Sequence, residues 1–151
     1  MRETRSQVNR FISIIVSMAA VLCGSATMGR QSNSYGPEVR SFLEYIHHEQ
    51  VELSFQIAHN EISRKEFNRS KNRLEVQKQA VLTRLKRTGE DIVPEYTVMA
   101  ADELTDILPN GVEDLKGHKP GDNINPKWRY VGFAVLGEKF YIMERARAEQ
   151  R

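Results

Sequence analysis

Apolar residues recur at helical spacing in the chain that follows residue 36. One set falls on a single helix face at about 100° per residue: Val39, Phe42, Leu43, Ile46, Leu53 and Ile57. A second set lies roughly opposite and occurs only in the later half: Val51, Phe55, Ala58 and Ile62. Pro37 is tolerated in a first helical turn. The pattern predicts a helix whose beginning needs one apolar neighbour and whose end needs two.

A second helix is predicted to begin at Ser63 and to run to about Thr88. Ser63 and Glu66 have the spacing of a capping box, and Ile62 and Phe67 have that of a hydrophobic staple. Gly89 supplies a left-handed C-terminal cap. The apolar face of this helix consists of Phe67, Leu74, Val81, Leu82 and Leu85. Because the link between the helices is so short, we expect an antiparallel helical hairpin over residues 37–89.

After Gly89 the spacing changes to that of short strands and turns. A strand is predicted around Tyr96–Met99, a short helix over 101–108 and a loop over 111–126. Two further strands, Trp128–Leu136 and Lys139–Glu144, are separated by a corner at Gly137–Glu138. The predicted fold class is α+β, with the long hairpin followed by a small βαββ unit over residues 90–145. Its three strands are expected to form one sheet, mostly antiparallel, with one face packed on a helix, and residues 146–151 form a charged tail.

The N-terminal segment has the three regions of a secretory signal peptide. Arg2, Arg5 and Arg10 precede an uncharged run over residues 11–29, and small residues precede a cleavage point after Ala26. We therefore predict a signal peptide over 1–26, a polar linker over 27–36 and a periplasmic or secreted protein. Two alternatives stay open. Residues 11–29 are long enough to anchor the chain in the inner membrane, and Cys23 permits lipoprotein processing, although Leu22 is a poor residue before it.

Cleavage would change the charge and the redox chemistry of the chain. The whole chain has a net charge of +2. Residues 1–26 contain three Arg and one Glu, so the mature chain would be neutral. They also contain the only cysteine, so the mature chain would have no disulfide and would depend on burial for its stability.

Charge is distributed unequally between the two predicted helices. Residues 37–62 carry one Arg and five Glu, whereas residues 63–88 carry nine Lys or Arg and two Glu. Away from the apolar face of the second helix lies a basic stripe: Lys65, Arg69, Arg73, Arg84 and Arg87. Such a stripe can bind anionic lipid or polymer. Alternatively, residues 90–126, with nine acids and two Lys, fold back and neutralise it. A neutral, exported chain argues against specific nucleic-acid recognition.

The stretch NEISRKEFNRSKNRLE, residues 60–75, resembles the short bacterial helix-turn-helix motif called SHOCT, with its G-x-I-[ST]-x-E-E-[FY] corner. Ile62, Ser63, Glu66 and Phe67 match that corner, while Asn60 and Lys65 depart from it. The resemblance implies a small hairpin that mediates interactions, and it implies no chemistry. The remainder of the chain resembles exported bacterial proteins whose activity is not known.

Candidate catalytic and metal-binding residues are few. Glu44 and His47 have the E-x-x-H spacing of di-iron helices, but such sites need a second motif that the chain does not supply. His48 and His59 share a face with Glu52 but lie about 16 Å apart along the helix. His118 and Asp122 form one loop pair that could exchange protons. We find no nucleophile elbow or phosphate loop, and no cofactor or metal is predicted.

Five aromatic residues fall in the last two predicted strands: Trp128, Tyr130, Phe133, Phe140 and Tyr141. Their alternating positions indicate core and sheet-face residues, with a ligand platform as the alternative. Taken with the second apolar set of the first helix, the sequence predicts a non-enzymatic exported protein that associates with a protein partner or with itself. The alternative is an envelope module that binds an anionic surface through the basic stripe.

Overall fold

The computed structural model describes residues 35–146. The predicted signal peptide (1–26), nearly all of the linker (27–36) and all but the first residue of the tail (146–151) lie outside this range. The described elements are α1 (Pro37–Ala58), α2 (Arg64–Thr88), β1 (Tyr96–Ala100), β2 (Asn123–Asn125), β3 (Trp128–Leu136) and β4 (Glu138–Arg145). The fold class is α+β, as the sequence predicts: two helices precede a four-stranded antiparallel sheet.

The corner between the helices has the predicted capping box. The Glu66 amide donates to the Ser63 hydroxyl at 3.2 Å, and the Ser63 amide donates to the Glu66 carboxylate at 2.8 Å. Hydrogen bonding of the Glu66 carboxylate with the Ser63 side chain and with the Ser63 amide lowers the pKa of Glu66. Asn60 has φ 58°, in the left-handed region that Asn tolerates better than most residues. At the other end, Gly89 closes α2 with φ 71°.

A residue that follows α2 caps the beginning of α1. Gly36 occupies the N-cap position and has no side chain to offer. The two carboxylate oxygens of Asp91 accept from the amides of Glu38 and Val39, both at 3.0 Å. In return, the Glu38 carboxylate accepts from the Val93 amide at 3.2 Å. The beginning of α1 therefore lies beside the end of α2, which is the arrangement of an antiparallel hairpin.

The strands follow the order β1-β4-β3-β2, and every neighbouring pair is antiparallel. The predicted strands β1, β3 and β4 are confirmed, with bounds that differ by one residue at most. Strand β2 lies inside the predicted loop 111–126, so the three-stranded βαββ unit is wrong by one strand. Its sequence, Asn-Ile-Asn, is too short and too polar to show an alternating apolar pattern. Pairing with Trp128 and Arg129 defines it instead.

The sheet is buried on both faces. On one face Phe140 and Ile142 of β4 pack with Val98 and Ala100 of β1 against the helices. The helices contribute six buried residues to this core: Val39, Phe42, Ile46, Leu74, Val76 and Val81. On the other face lies a second core of Met99, Leu104, Leu108, Leu115, Tyr130, Tyr141 and Met143. The segment between β1 and β2 supplies the three leucines and thus forms a third layer.

This covering segment also corrects the predicted helix over 101–108. It contains two short 3₁₀ helices, Leu104–Asp106 and Gly111–Leu115. Most backbone bonds here reach three residues back, as from the Ile107 amide to the Leu104 carbonyl at 3.1 Å, and a bond of the α-helical kind joins the Leu108 amide to the Leu104 carbonyl at 2.8 Å. Leu104 and Leu108 are almost wholly buried, and Pro109 follows at once. The chain stays in contact with the sheet and turns at Pro109, so residues 101–108 do not continue as a regular α-helix.

Gly36→Ala should weaken the cap of α1. A Cβ at this position would lie 2.1 Å from the Asp91 carboxylate oxygen, so Asp91 must leave its two amide donors. We expect urea unfolding to show a loss of about 1 kcal/mol, the usual cost of a lost N-cap. Asp91→Ala should cost a similar amount. In the double variant the carboxylate and its clash are absent and only the 2.7 Å approach to the Cβ of residue 91 remains, so its loss of stability should be smaller than the sum of the two single losses. Full additivity of the two losses would contradict this account.

Candidate interaction surfaces

The first part of the predicted basic stripe is occupied by ion pairs within the molecule. Arg69 donates from Nε and Nη2 to the two carboxylate oxygens of Glu138, at 2.9 and 2.8 Å. Its Nη1 donates to Asp102 at 3.0 Å. A two-pronged arginine–carboxylate contact fixes geometry as well as charge. Arg69 therefore ties the turn between β3 and β4, and the turn that follows β1, to the same point on α2.

Arg73 extends this contact by pairing with Glu103. The second oxygen of Glu103 accepts from the Ala100 amide at 2.9 Å. Nearby, the Asn72 side chain donates to the Leu136 carbonyl at 2.8 Å. We call the ion pairs among Arg69, Arg73, Asp102, Glu103 and Glu138 the ionic seam. Two of its acids come from residues 90–126, the segment expected to cover the stripe, and Glu138 comes from β4.

Two members of the seam, Asp102 and Arg69, have shifted pKa values. Hydrogen bonding from Arg69 is the main cause that lowers the pKa of Asp102. Hydrogen bonds from Arg69 to Glu138 and to Asp102 in turn raise the pKa of the guanidinium. A carboxyl group with a lowered pKa stabilises the fold above its unfolded pKa, and this contribution is lost as the pH falls through the folded value. The contact of Arg69 with Asp102 therefore contributes at neutral pH and is lost in acid.

The remaining residues of the stripe are placed differently. Lys65 and Arg87 are exposed, and within residues 35–146 neither has an acidic partner in ion-pair distance. Arg84 is half-buried and reaches Glu90 only at 3.4 Å. Arg84 and Arg87 line a groove between α2 and β3 with a volume of about 500 Å³. The apolar lining of the groove includes Val76, Ala80, Val131, Ala134 and Ile142.

The second apolar set of α1 lies on the protein surface. Val51 and Phe55 expose 54% and 50% of their surface, and Ala58 beside them is also exposed. The His59 ring stacks on Phe55 with ring centroids 3.9 Å apart. Within the described part of the chain no second layer buries this set. We call Val51, Phe55 and Ala58 the α1 apolar surface.

The histidine candidates are solvent-exposed. His118 Nδ1 lies 3.8 Å from Asp122, whose carboxylate also accepts from the Lys119 amide at 2.8 Å. Asp122 thus helps to hold its own turn. His47 and His48 are exposed on α1. Between residues 35 and 146, no group of three or more His, Cys, Asp or Glu side chains has a metal-binding arrangement.

The aromatic residues divide between core and surface. Tyr130, Phe140 and Tyr141 are buried, Trp128 is half-buried, and Phe133 exposes 57% of its surface. Lys139 Nζ lies 4.2 Å from the centroid of the Phe133 ring, a favourable cation–π distance. The third layer ends before it reaches Phe133, so this side chain stays exposed. The strand pattern alone did not predict that exposure.

Arg69→Ala should raise the pKa of Asp102, because the main hydrogen-bond donor to that carboxylate is removed. Carbon-detected NMR titration of the carboxyl groups would measure it. Asp114 is the internal control, since hydrogen bonds from Asn110 lower its pKa independently of the seam. We expect the Asp102 midpoint to move up and the Asp114 midpoint to stay. An unchanged Asp102 midpoint would show that Arg69 does not hold that carboxylate in solution.

Neither described helix is both long and apolar enough to cross a membrane. The resemblance of residues 60–75 to the SHOCT motif stays a prediction. Comparison of the chain with protein-family models, with curated proteins and with solved structures gives no match.

Proposed function

We propose that this is an exported, non-enzymatic interaction or assembly protein of the bacterial cell envelope. The proposal of export rests on the signal-peptide pattern of residues 1–26, with anchoring through residues 11–29 as the alternative. The proposal of interaction rests on the α1 apolar surface. The resemblance of the adjacent corner, within residues 60–75, to the SHOCT motif also favours an interaction role.

The α1 apolar surface supports an interaction role for an energetic reason. Fully burying a side chain of the size of Val or Phe is worth about 1.5–3 kcal/mol, and these two residues leave half of that gain unused. They stand one helical turn apart, so one partner surface can cover both. Scattered single apolar residues are common on protein surfaces, but here the apolar set continues along the same side of the helix to Ala58.

A photo-crosslinking experiment on the full-length protein would test this role. We expect a photoreactive amino acid at position 55 to form a discrete adduct in envelope extract, with either a partner or a second copy. The same group at position 61, exposed just beyond α1, serves as the control and should give no adduct. Val51→Asp should abolish the position-55 adduct without changing the melting temperature. A monomer by light scattering, with no adduct at position 55, would remove the support for this proposal.

A second candidate function is contact with an anionic lipid or polymer through the remaining basic residues. The observation in its favour is the exposure of Lys65 and Arg87 without an ion-pair partner among residues 35–146. Arg69 and Arg73 are poor probes of this function, because reversing their charge would break the ionic seam. Long-range attraction between exposed charges is strongly screened by salt.

For this second candidate, the Lys65→Glu/Arg87→Glu double variant should lose binding to vesicles that contain phosphatidylglycerol. The matched control is Arg64→Glu/Lys86→Glu, which makes the same charge change on the same helix. Co-sedimentation at low and at physiological salt would measure both. Equal losses in the two double variants would mean that only net charge matters, and the stripe would then have no special role.

A further inference from the structure

The two edges of the sheet differ in how their backbone groups are satisfied. At the β1 edge, the Ala100 amide donates to Glu103 at 2.9 Å and the Ala100 carbonyl accepts from the Glu103 amide at 3.1 Å. The Tyr96 carbonyl accepts from Gln77 of α2 at 3.4 Å. Side chains and turns thus cover most of this edge, which is how proteins commonly protect an edge strand.

The β3 edge is covered only at its beginning. The Tyr130 amide donates to the Asp122 carbonyl at 2.8 Å, and the Tyr130 carbonyl accepts from the Gly121 amide at 2.7 Å. Tyr130 therefore turns both backbone groups away from β4. Strand β2 and this short loop end there, and on the side away from β4 the rest of β3 continues to Leu136 with no strand from residues 35–146 beside it.

Alternation along β3 identifies the backbone groups that face outward. After an irregularity at Val131, the partners across β4 are Gly132 with Ile142, Phe133 with Tyr141, Ala134 with Phe140 and Val135 with Lys139. In an antiparallel pair, successive residues alternate between bonding the partner and facing away. Phe133 and Val135 then face outward, like Tyr130. Among the described residues, neither has a hydrogen-bond partner on that side.

The composition of this open edge favours pairing with another strand. Phe133 and Val135 expose 57% and 70% of their surface. The open stretch contains no proline and no inward charge, two of the usual devices against edge pairing, and its irregularity at Val131 lies before the outward residues Phe133 and Val135. Two outward residues offer two donors and two acceptors in one line. An added strand would satisfy all of them.

The groove between α2 and β3 adjoins this edge on the helix side of the sheet. Gly132 and Ala134 of β3 line it, opposite Ala80 and Thr83 of α2. Side chains alternate across a strand, so every second residue of an added strand would enter the groove. The groove's 500 Å³ is within the range of ligand pockets, about 300–1,000 Å³. Its apolar lining suits large aliphatic or aromatic side chains.

Arg84 and Arg87 make one end of the groove positively charged, whereas the acidic residue of its lining, Glu75, is paired with Lys78. Both arginines line the groove, and Arg84 lies beside Tyr96, which is across the sheet from the beginning of β3. Arg87 has no acidic partner among residues 35–146, and the one contact of Arg84 with Glu90 is long. A carboxylate at that end of the groove would have two cationic neighbours.

We propose that the open β3 edge binds an extended segment of another protein by strand addition. The segment alternates large apolar residues, which enter the groove, with residues that lie beside Phe133 and Val135. It carries an acidic side chain or a C-terminal carboxylate at the Arg84–Arg87 end. A second copy fits less well, because the central groove-facing residues of β3, Gly132 and Ala134, would bring a single methyl group to fill the groove. The inference deepens the proposed interaction function but uses a different surface. A negative crosslinking result at position 55 would therefore not contradict it.

Panning a phage-displayed library of random ten-residue peptides on the full-length protein would test this inference. We expect enriched peptides to alternate large apolar residues with others and to carry an acid near one end. A fluorescein-labelled synthetic copy of the most enriched peptide provides the binding measurement. Methylating its alternate backbone amides should reduce affinity at least tenfold if strand pairing carries the binding. NMR shifts should centre on the amides of Phe133 and Val135.

Three variants locate the site. Val135→Pro removes an outward donor and should lower the affinity for the synthetic peptide at least tenfold. Circular dichroism and the melting temperature should show that the fold is kept. Arg87→Glu should lower the affinity for the same peptide about tenfold. When the acidic group of the peptide is replaced by its amide, the wild-type protein and Arg87→Glu should bind the peptide equally well. Lys86→Glu makes the same charge change in the same helical turn outside the groove and should have no effect.

Four results would overturn the inference. They are the absence of any enriched peptide, binding that Val135→Pro does not weaken, equal losses in Arg87→Glu and Lys86→Glu, and a wild-type dimer that Val135→Pro dissociates. The last would assign the edge to a second copy of the chain. Adducts formed at position 55 report on α1 alone, so the two surfaces are tested separately.

Discussion

Strand β4 buries side chains on both sides of the sheet, with Phe140 and Ile142 against the helices and Tyr141 and Met143 against the segment that follows β1. Strands buried on both faces need a cover on both, because apolar surface left in water forfeits about 25 cal/mol per Å². The helical hairpin supplies one cover and the three leucines of the third layer supply the other. The order of the three layers follows from this demand.

Burial by itself does not fix how the helices sit along the sheet, since apolar contact is not directional. Polar contacts with strict geometry supply that information. Asp91 holds the beginning of α1 to the chain beyond α2, and the ionic seam holds the first half of α2 to the turn that follows β1 and to the turn between β3 and β4. Exposed ion pairs contribute little stability individually. Their directionality nevertheless selects one register of helix against sheet.

The same contacts decide which residues are available to a partner. Arg69 and Arg73 are engaged inside the molecule, whereas Arg84 and Arg87 border the groove. Among the described residues, exposed apolar side chains concentrate in two places, the α1 apolar surface and the open end of β3, and Tyr45 of α1 is exposed apart from them. Both places are where covering elements stop. Interaction through them is compatible with a fold whose described part has little that indicates catalysis.

Local patterns in the sequence determined the helices, their capped corner and three of the four strands, because caps and side-chain periodicity act between residues only a few positions apart. Ser63 and Glu66 make a helix begin wherever they occur, and Gly89 ends one. Tertiary structure alone decided that β2 exists, that 101–108 is not an α-helix, that Asp91 caps α1 and that Phe133 is exposed. Each of these depends on atoms distant in sequence. The basic stripe shows the division most clearly: its residues were evident from the sequence, but the acids that engage Arg69 and Arg73 come from turns 30 to 69 residues away.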